Sequence, residues 1–218
     1  MTKKISAAFL TLVLINILSC TPSRQYVEQS PGHSKVESAE IKVQIVKGAE
    51  SVKISSNGKF KIFDSKTDKT IYQGEKKSVR IYPAMITGTA VAESWEGILS
   101  VDDMAYRGRF LISNIVGRIH VINMVKMDDY LMSVVPSEMS NSWPQEALKS
   151  QAISARTYAY YRMKNDRNDL FDLDSTTSFQ VYKGTSVENE KTSNAVRTTS
   201  GIIASYGNKP ILSFFHST

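Results

Sequence analysis

One cysteine among 218 residues leaves no partner for an intramolecular disulfide and excludes a zinc cage built from cysteines. Eleven glycines and six prolines are too few for a collagen-like repeat. Hydrophobic residues make up 41% and charged residues 22% of the chain, a globular balance that excludes wholesale disorder. The one long apolar run, Ala7 to Leu18, is broken only by Thr11 and Asn16. It is too short for a stable transmembrane helix, which excludes a polytopic membrane protein. No internal repeat is visible. The length suits one domain of ordinary size, or one domain with an attached module.

What stands at the N-terminus reads as an address. Lys3 and Lys4 precede the apolar run, which has the length of a signal-peptide core and ends Ile17-Leu18-Ser19-Cys20. This resembles a bacterial lipoprotein signal, in which the cysteine is diacylated and becomes the new N-terminus. The alternative is a plain secretory signal with an incidental cysteine. The expected product is an exported protein, lipid-anchored at Cys20 to a bacterial membrane and facing the cell wall or periplasm. Two or three acyl chains anchor a protein stably where one does not.

The chain has 27 basic and 21 acidic residues, a net charge of +6. Removing residues 1–19 takes away Lys3 and Lys4, so 25 − 21 leaves +4. The excess is local: Ile41 to Arg80 holds ten Lys or Arg and four Asp or Glu. Such a module could touch anionic lipid, cell-wall polymer or nucleic acid, and export argues against nucleic acid. Lysines that blunt exposed sheet edges explain the same pattern.

Residues 21–40 hold Pro22, Pro31, Gly32 and several serines with little apolar content, and read as a tether. From Ile41 the pattern alternates with period two, as in 42–46, 59–63, 79–82, 109–112 and 118–125. Turn signals at Asn57-Gly58, Asp64 to Lys69, Gly74 and Asn114 to Gly117 predict hairpins. At Asp128 the pattern turns helical. Asp128 or Asp129 can cap a short helix from Tyr130 to Val135 that Pro136 closes. A second helix is predicted from near Trp143 to about Lys164, with Ser142 and Gln145 at capping-box spacing and Pro144 in its first turn. Its many alanines imply close packing. Gln145, Lys149 and Arg156 share one face. Such a polar stripe lines a cleft, pairs with buried carboxylates or snorkels. Phe179 to Tyr182 reads as a strand. A polar helix from Glu188 to Thr199 then leads to a Gly201 C-cap, and 202–206 with 210–215 forms a closing hairpin.

Among the carboxylates Glu138 is distinctive. It lies in a turn between Pro136 and the Trp143-Pro144 helix start, flanked by Val134, Val135, Met139 and Trp143. A carboxyl group held against apolar and aromatic surface suits a general acid.

Three blocks then stand at fixed separation: Tyr130 to Met139 (YLMSVVPSEM), Trp143 to Ala152 (WPQEALKSQA) and Ala155 to Ala159 (ARTYA). With Gln180 to Gly184 (QVYKG), Thr199, Gly201, Pro210 and Phe215 to Ser217 they closely resemble the stage II sporulation protein D family, the SpoIID/LytB domain. The resemblance covers roughly residues 110–218. It implies a peptidoglycan lytic transglycosylase that cleaves glycan strands stripped of stem peptides and leaves a 1,6-anhydro-muramic end. It also implies Glu138 as the catalytic acid/base, and Lys149, Arg156 and Gln180 as substrate-binding residues. Ser137 and Tyr182, in the same blocks, complete the candidate substrate contacts. Relatives that enhance a peptidoglycan amidase give the alternative, a non-catalytic glycan-binding lipoprotein with an amidase partner. A lipid-tethered structural module is a third reading.

Some members of that family bind zinc through Cys and His residues. Here Asp174, Ser178 and Phe179 replace part of that set and His216 remains, so neither metal nor cofactor is expected. The family pattern usually continues with a Gly-Gly-x-Thr segment beyond the position of Thr218, so the domain is expected to be truncated. The expected organisation is a signal peptide at 1–19, a tether at 20–40, a β-rich module at 41–109 and the SpoIID/LytB-like domain at 110–218. The expected fold is α+β: the β-rich module, then a buried central helix and a mixed C-terminal region forming a cleft.

Overall fold

A computed structural model describes residues 31–37, 39–165, 168–176 and 179–215. Residues 1–19, Cys20, Ser178 and His216 lie outside them. In chain order the strands are β1 (Pro31–Lys35), β2 (Glu40–Ala49), β3 (Val52–Ser56), β4 (Lys59–Asp64), β5 (Thr70–Glu75), β6 (Ser78–Ile81), β7 (Thr89–Ser94), β8 (Leu99–Val101), β9 (Met104–Tyr106), β10 (Arg109–Ile115) and β11 (Arg118–Lys126). Helices α1 (Met127–Glu138) and α2 (Gln145–Asn165) follow, then β12 (Leu173–Asp174), α3 (Glu190–Thr198), β13 (Ile202–Tyr206) and β14 (Lys209–Pro210). The architecture is α+β, as the sequence pattern predicts.

The largest sheet has the order β12-β2-β11-β10-β7-β4-β5, antiparallel except where β12 joins β2. A four-stranded sheet has the order β6-β3-β8-β9. Alternation places every second residue inward: Phe60 and Ile62 of β4, Phe110 and Ile112 of β10, Val52 and Ile54 of β3. These side chains join one core cluster with Val134 and Val135 of α1 and Ala152, Ala155 and Ala159 of α2. The large sheet runs across residue 109, so β2, β4, β5 and β7 are hydrogen-bonded in one sheet with β10 and β11.

Several local expectations change. Pro31–Lys35, read as tether, is a strand antiparallel to β13. Asn57-Gly58 is not a hairpin turn, because β3 pairs with β6 and β8 while β4 pairs with β5 and β7. Gly58 serves a close approach instead, since a Cβ there would lie 1.1 Å from the Glu96 carbonyl oxygen. Gly74 is inside β5 rather than at a turn. Asp64 to Lys69 and Asn114 to Gly117 do turn the β4–β5 and β10–β11 hairpins. Residues 179–183 form no strand, and 211–215 continue without one.

The helices also differ at their ends. Pro136 lies inside α1, which continues to Glu138. It sits in the last turn, where the Ser137 hydroxyl donates to Ser133 O and Met139 N–H donates to Val135 O. Asp128 and Asp129 occupy the first turn of α1 rather than the cap, favourable positions for negative charge against the helix dipole. The Ser142–Gln145 capping box does not form: the Ser142 hydroxyl meets Ser140, and Gln145 donates to Lys191 O. Asn189 caps α3 by accepting from Lys191 N–H. Gly201 follows α3 with a φ of +73°, pressed against Val36 O.

Candidate functional site

Glu138 is the last residue of α1, half-buried. Its Oε1 accepts the backbone N–H of Val181 at 3.0 Å. Oε2 makes no hydrogen bond among the described residues. One carboxylate oxygen is thus fixed by the protein and the other is available.

The segment that supplies Val181 N–H is stitched down on both sides. Gln180 is fully buried, accepts the Tyr130 hydroxyl at 3.0 Å and donates to Ala155 O at 3.2 Å. Tyr182 is buried and donates its hydroxyl to Asn123 Oδ1 at 2.6 Å. Lys183 N–H donates to the Ser133 hydroxyl at 3.1 Å. These bonds tie one irregular stretch to α1, α2 and β11. The Tyr182 ring also stacks obliquely between Tyr130, at 4.9 Å, and Tyr106, at 5.4 Å. Burial pushes the hydroxyls of Tyr130 and Tyr182 above the usual tyrosine range, so both are neutral donors. The Glu138 charge adds to the shift at Tyr130.

Gly184 ends this stretch at a φ of +66°. A Cβ there would lie 2.1 Å from Ala105 O, so only glycine allows the chain to pack against β9. Nearby, Arg107 grips Glu188 with two parallel bonds of 2.8 and 2.7 Å. Hydrogen bonding to Glu188 pushes the Arg107 guanidinium further up. Asp129 faces the same group, and its carboxyl lies above the usual range, chiefly from burial and against the pull of Arg107 and Lys126.

Arg156 is 1% exposed. Its Nε and one terminal nitrogen reach Asp128 Oδ1 at 3.3 and 3.0 Å. The same terminal nitrogen donates to Val196 O at 3.1 Å, and the other to Ile202 O at 3.2 Å and the Thr199 hydroxyl at 3.4 Å. A guanidinium has five N–H donors, and five acceptor contacts occupy them. Two acceptors, Val196 O and Thr199, belong to the C-terminal turn of α3, whose last carbonyls lack helical partners. Desolvation lowers the Arg156 pKa, opposed by Asp128, and a guanidinium remains charged even so.

Three of the expected substrate contacts lie inside the fold. Arg156, Gln180 and Tyr182 are buried, and their polar atoms are committed to protein partners. Their hydrogen bonds hold other groups of the fold in place. Ser137 spends its hydroxyl proton on Ser133 O, although it neighbours Glu138 on α1. Lys149 is the one of the set at the surface, in an i,i+3 ion pair with Glu146 at 2.8 Å. The expected polar stripe divides along α2: Gln145 and Lys149 lie near the solvated first turns, and Arg156 lies deep between α1, α3 and β13. The spacing gave no hint of Val181 as the partner of Glu138, because a backbone donor leaves no mark in the sequence.

Of the positions compared with zinc-binding members, Asp174 and Phe179 lie among the described residues. Asp174 Oδ1 accepts the N–H of Thr176, and the Phe179 ring lies under Arg162 at 4.8 Å. Among the described residues no group of three or more His, Cys, Asp or Glu side chains gathers as a metal would require.

Residues 116–206 match the family model described as SpoIID, Stage II sporulation protein. Over this segment the chain matches the family that its sequence blocks resemble. It is 39% identical over 126 residues to an uncharacterized protein of Brachyspira hyodysenteriae, covering 57% of this chain and 34% of that one. It is 36% identical over 114 residues to the Stage II sporulation protein D of Bacillus subtilis, covering 44% and 33% of the two chains. The Amidase enhancer of Bacillus subtilis is 39% identical over 88 residues, 40% of this chain and 12% of that one. The chain thus spans about a third or less of the curated relatives it matches. The SpoIID match begins at the β10–β11 turn and ends with β13, so it contains Glu138, Val181 and the groups that hold them.

Proposed function

We propose that the protein is a peptidoglycan lytic transglycosylase with Glu138 as its general acid/base. The observation that carries this reading is a half-buried carboxylate inside the SpoIID match, with Oε1 anchored to Val181 N–H and Oε2 without a hydrogen bond among the described residues. An oxygen that accepts an N–H keeps its lone pair, so the acid proton sits on Oε2, directed away from the anchor. Ordinary glycosidases use two carboxylates. A lytic transglycosylase needs one, because the C6 hydroxyl of the sugar is the nucleophile.

In the forward step Glu138 gives its proton to the glycosidic oxygen and the bond from C1 to that oxygen breaks. As O6 bonds to C1, the Glu138 carboxylate takes the C6 hydroxyl proton and is again the acid. The products are a 1,6-anhydro end and a free hydroxyl, with no water consumed. Well-oriented intramolecular attack carries effective molarities of about 10⁵–10⁸ M, which explains how one protein carboxylate can suffice. Lys149, at the surface of α2, is the remaining side chain of the expected set that could bind acetamido or lactyl groups. In the cell the domain would act from a membrane, anchored through Cys20.

Digestion of denuded glycan strands followed by mass spectrometry tests the reading. Anhydro-muramic ends are expected from the native chain and not from Glu138→Gln. Products undiminished in that variant would overturn the role of Glu138.

A second reading is a glycan-binding protein that enhances a peptidoglycan amidase. It is favoured by the relative that bears that name and by the commitment of Arg156, Gln180 and Tyr182 to the fold. It predicts stimulation of an added amidase with no anhydro product.

A further inference from the structure

The large sheet ends at β5, an edge strand four strand spacings, roughly 19 Å, from β11. Beside it opens a groove of about 420 Å³ lined by Lys59, Gln73, Gly74, Glu75 and Trp95. That volume is in the range of small-ligand sites, about 300–1,000 Å³. Glu138 is not among its lining residues.

Trp95 is 51% exposed, yet its backbone is closely held. Its N–H donates to Lys59 O at 3.3 Å, and the Ser94 hydroxyl donates to the same oxygen at 2.8 Å. Ile98 N–H donates to Asn57 Oδ1 at 2.8 Å, and Gly58 lies against the Glu96 carbonyl without room for a Cβ. A lone exposed indole on a mobile loop is ordinary surface. Here the loop is fixed and the indole flanks a groove whose other walls are polar.

The register sets what lies around the ring. Glu75 pairs with Lys59, whose carbonyl holds Trp95, and Gln73 pairs with Lys61, which pairs in turn with Glu93. The cations are locally balanced: Lys59 meets Glu96 and Lys61 meets Glu93, each at 3.1 Å. The Gln73 amide and the Glu75 carboxylate make no hydrogen bond among the described residues. So the groove offers a flat apolar ring beside free donors and acceptors, with little excess positive charge. An anionic lipid or polyphosphate finds no strong attraction there. A pyranose matches it, because one face of the sugar is an array of C–H groups and its rim carries hydroxyl or acetamido groups. The ring covers the apolar face and the side chains bond the rim.

We infer that the Trp95 groove is an accessory glycan-binding site, built to hold a run of pyranose residues away from Glu138. The choice of a wall glycan rests on the proposed function, whereas the groove stands apart from the catalytic carboxylate. The competing occupant of an open edge is an extended peptide added to β5 as a further strand.

The chain has two tryptophans, so Trp143→Phe leaves Trp95 as the sole indole. Titrating β-linked N-acetylglucosamine oligomers into full-length Trp143→Phe is expected to shift and quench its fluorescence. Sedimentation with purified peptidoglycan is expected to be about five- to tenfold weaker for Trp95→Ala, the loss typical of one aromatic stacking contact. Trp95→Phe keeps a ring and retains most of the binding, which separates stacking from misfolding. Glu138→Gln is expected to keep the Trp95-dependent binding whether or not it forms product, so the groove and the catalytic reading fail separately. Binding unchanged in Trp95→Ala, or a fluorescence response to extended peptides but not to glycan, would overturn the inference.

Discussion

The N–H of Val181 donates to Glu138 across 43 positions of sequence, and residues 180, 182 and 183 beside it are each hydrogen-bonded to the fold. Gln180 and Tyr182 point into the core on either side, while the amide between them faces the carboxylate. Gln180→Ala would leave the buried Tyr130 hydroxyl without its acceptor, while Ala155 O keeps its helical partner within α2. Each buried polar group left unpaired costs about 1–3 kcal/mol. Lower stability is expected together with a fall in kcat larger than the fall in folded fraction, because Val181 N–H no longer holds Glu138 in place. Thermal melts and turnover measured well below the melting range separate the two effects.

Arg156 gives the opposite balance. Removing it leaves Asp128 without its cation and strips acceptors at the end of α3. Breaking such a pair costs about 3–5 kcal/mol, a drop in Tm on the order of 10 °C for a chain of this size. Arg156→Ala is expected to lose stability and activity in parallel. Arg156→Lys is not expected to restore either, since an ammonium cannot reproduce the planar five-donor fork. Activity lost at full stability would return Arg156 to the substrate site.

How far the sequence carried this picture depends on the kind of contact. Period-two alternation located β2, β4, β10 and β11, because each buries one face. The Asn114 to Gly117 turn was legible because Gly117 and Val116 both have positive φ in a tight hairpin. Asn57-Gly58 carried the same signal with a different cause, the approach of Glu96, and only tertiary structure separates the two. The four- and seven-residue spacing of Gln145, Lys149 and Arg156 gave a common face of α2. It could not give depth, and depth decides that Lys149 meets solvent while Arg156 meets three elements. Glu138 was singled out by its flanking apolar residues and by family resemblance. Its backbone partner was invisible, because any residue but proline at position 181 supplies an N–H.

Gly184 is expected to tolerate no side chain. At a φ of +66° and 2.1 Å from Ala105 O, an alanine must move either the stretch 180–183 or β9. Destabilisation above about 1 kcal/mol is expected. The displacement should also reach Val181 N–H, so the variant should lose activity beyond its loss of stability. Denaturant unfolding beside product analysis measures both.

Asp129 sets a pH dependence whose sign follows from burial. Its carboxyl is raised in the folded chain, with desolvation outweighing Arg107 and Lys126. The folded state therefore holds this proton more tightly than the unfolded state does. Its contribution to stability is full below the unfolded carboxylate pKa and is lost as pH rises through the higher folded value. Asp129→Asn removes the charge that burial disfavours. The variant is expected to gain on the native chain as pH rises from about 4 to 7, and to show no advantage at the acid end. Urea midpoints across that range measure the difference. A native chain that instead gains relative to Asp129→Asn as pH rises would mean that Arg107 and Lys126 outweigh desolvation at this site.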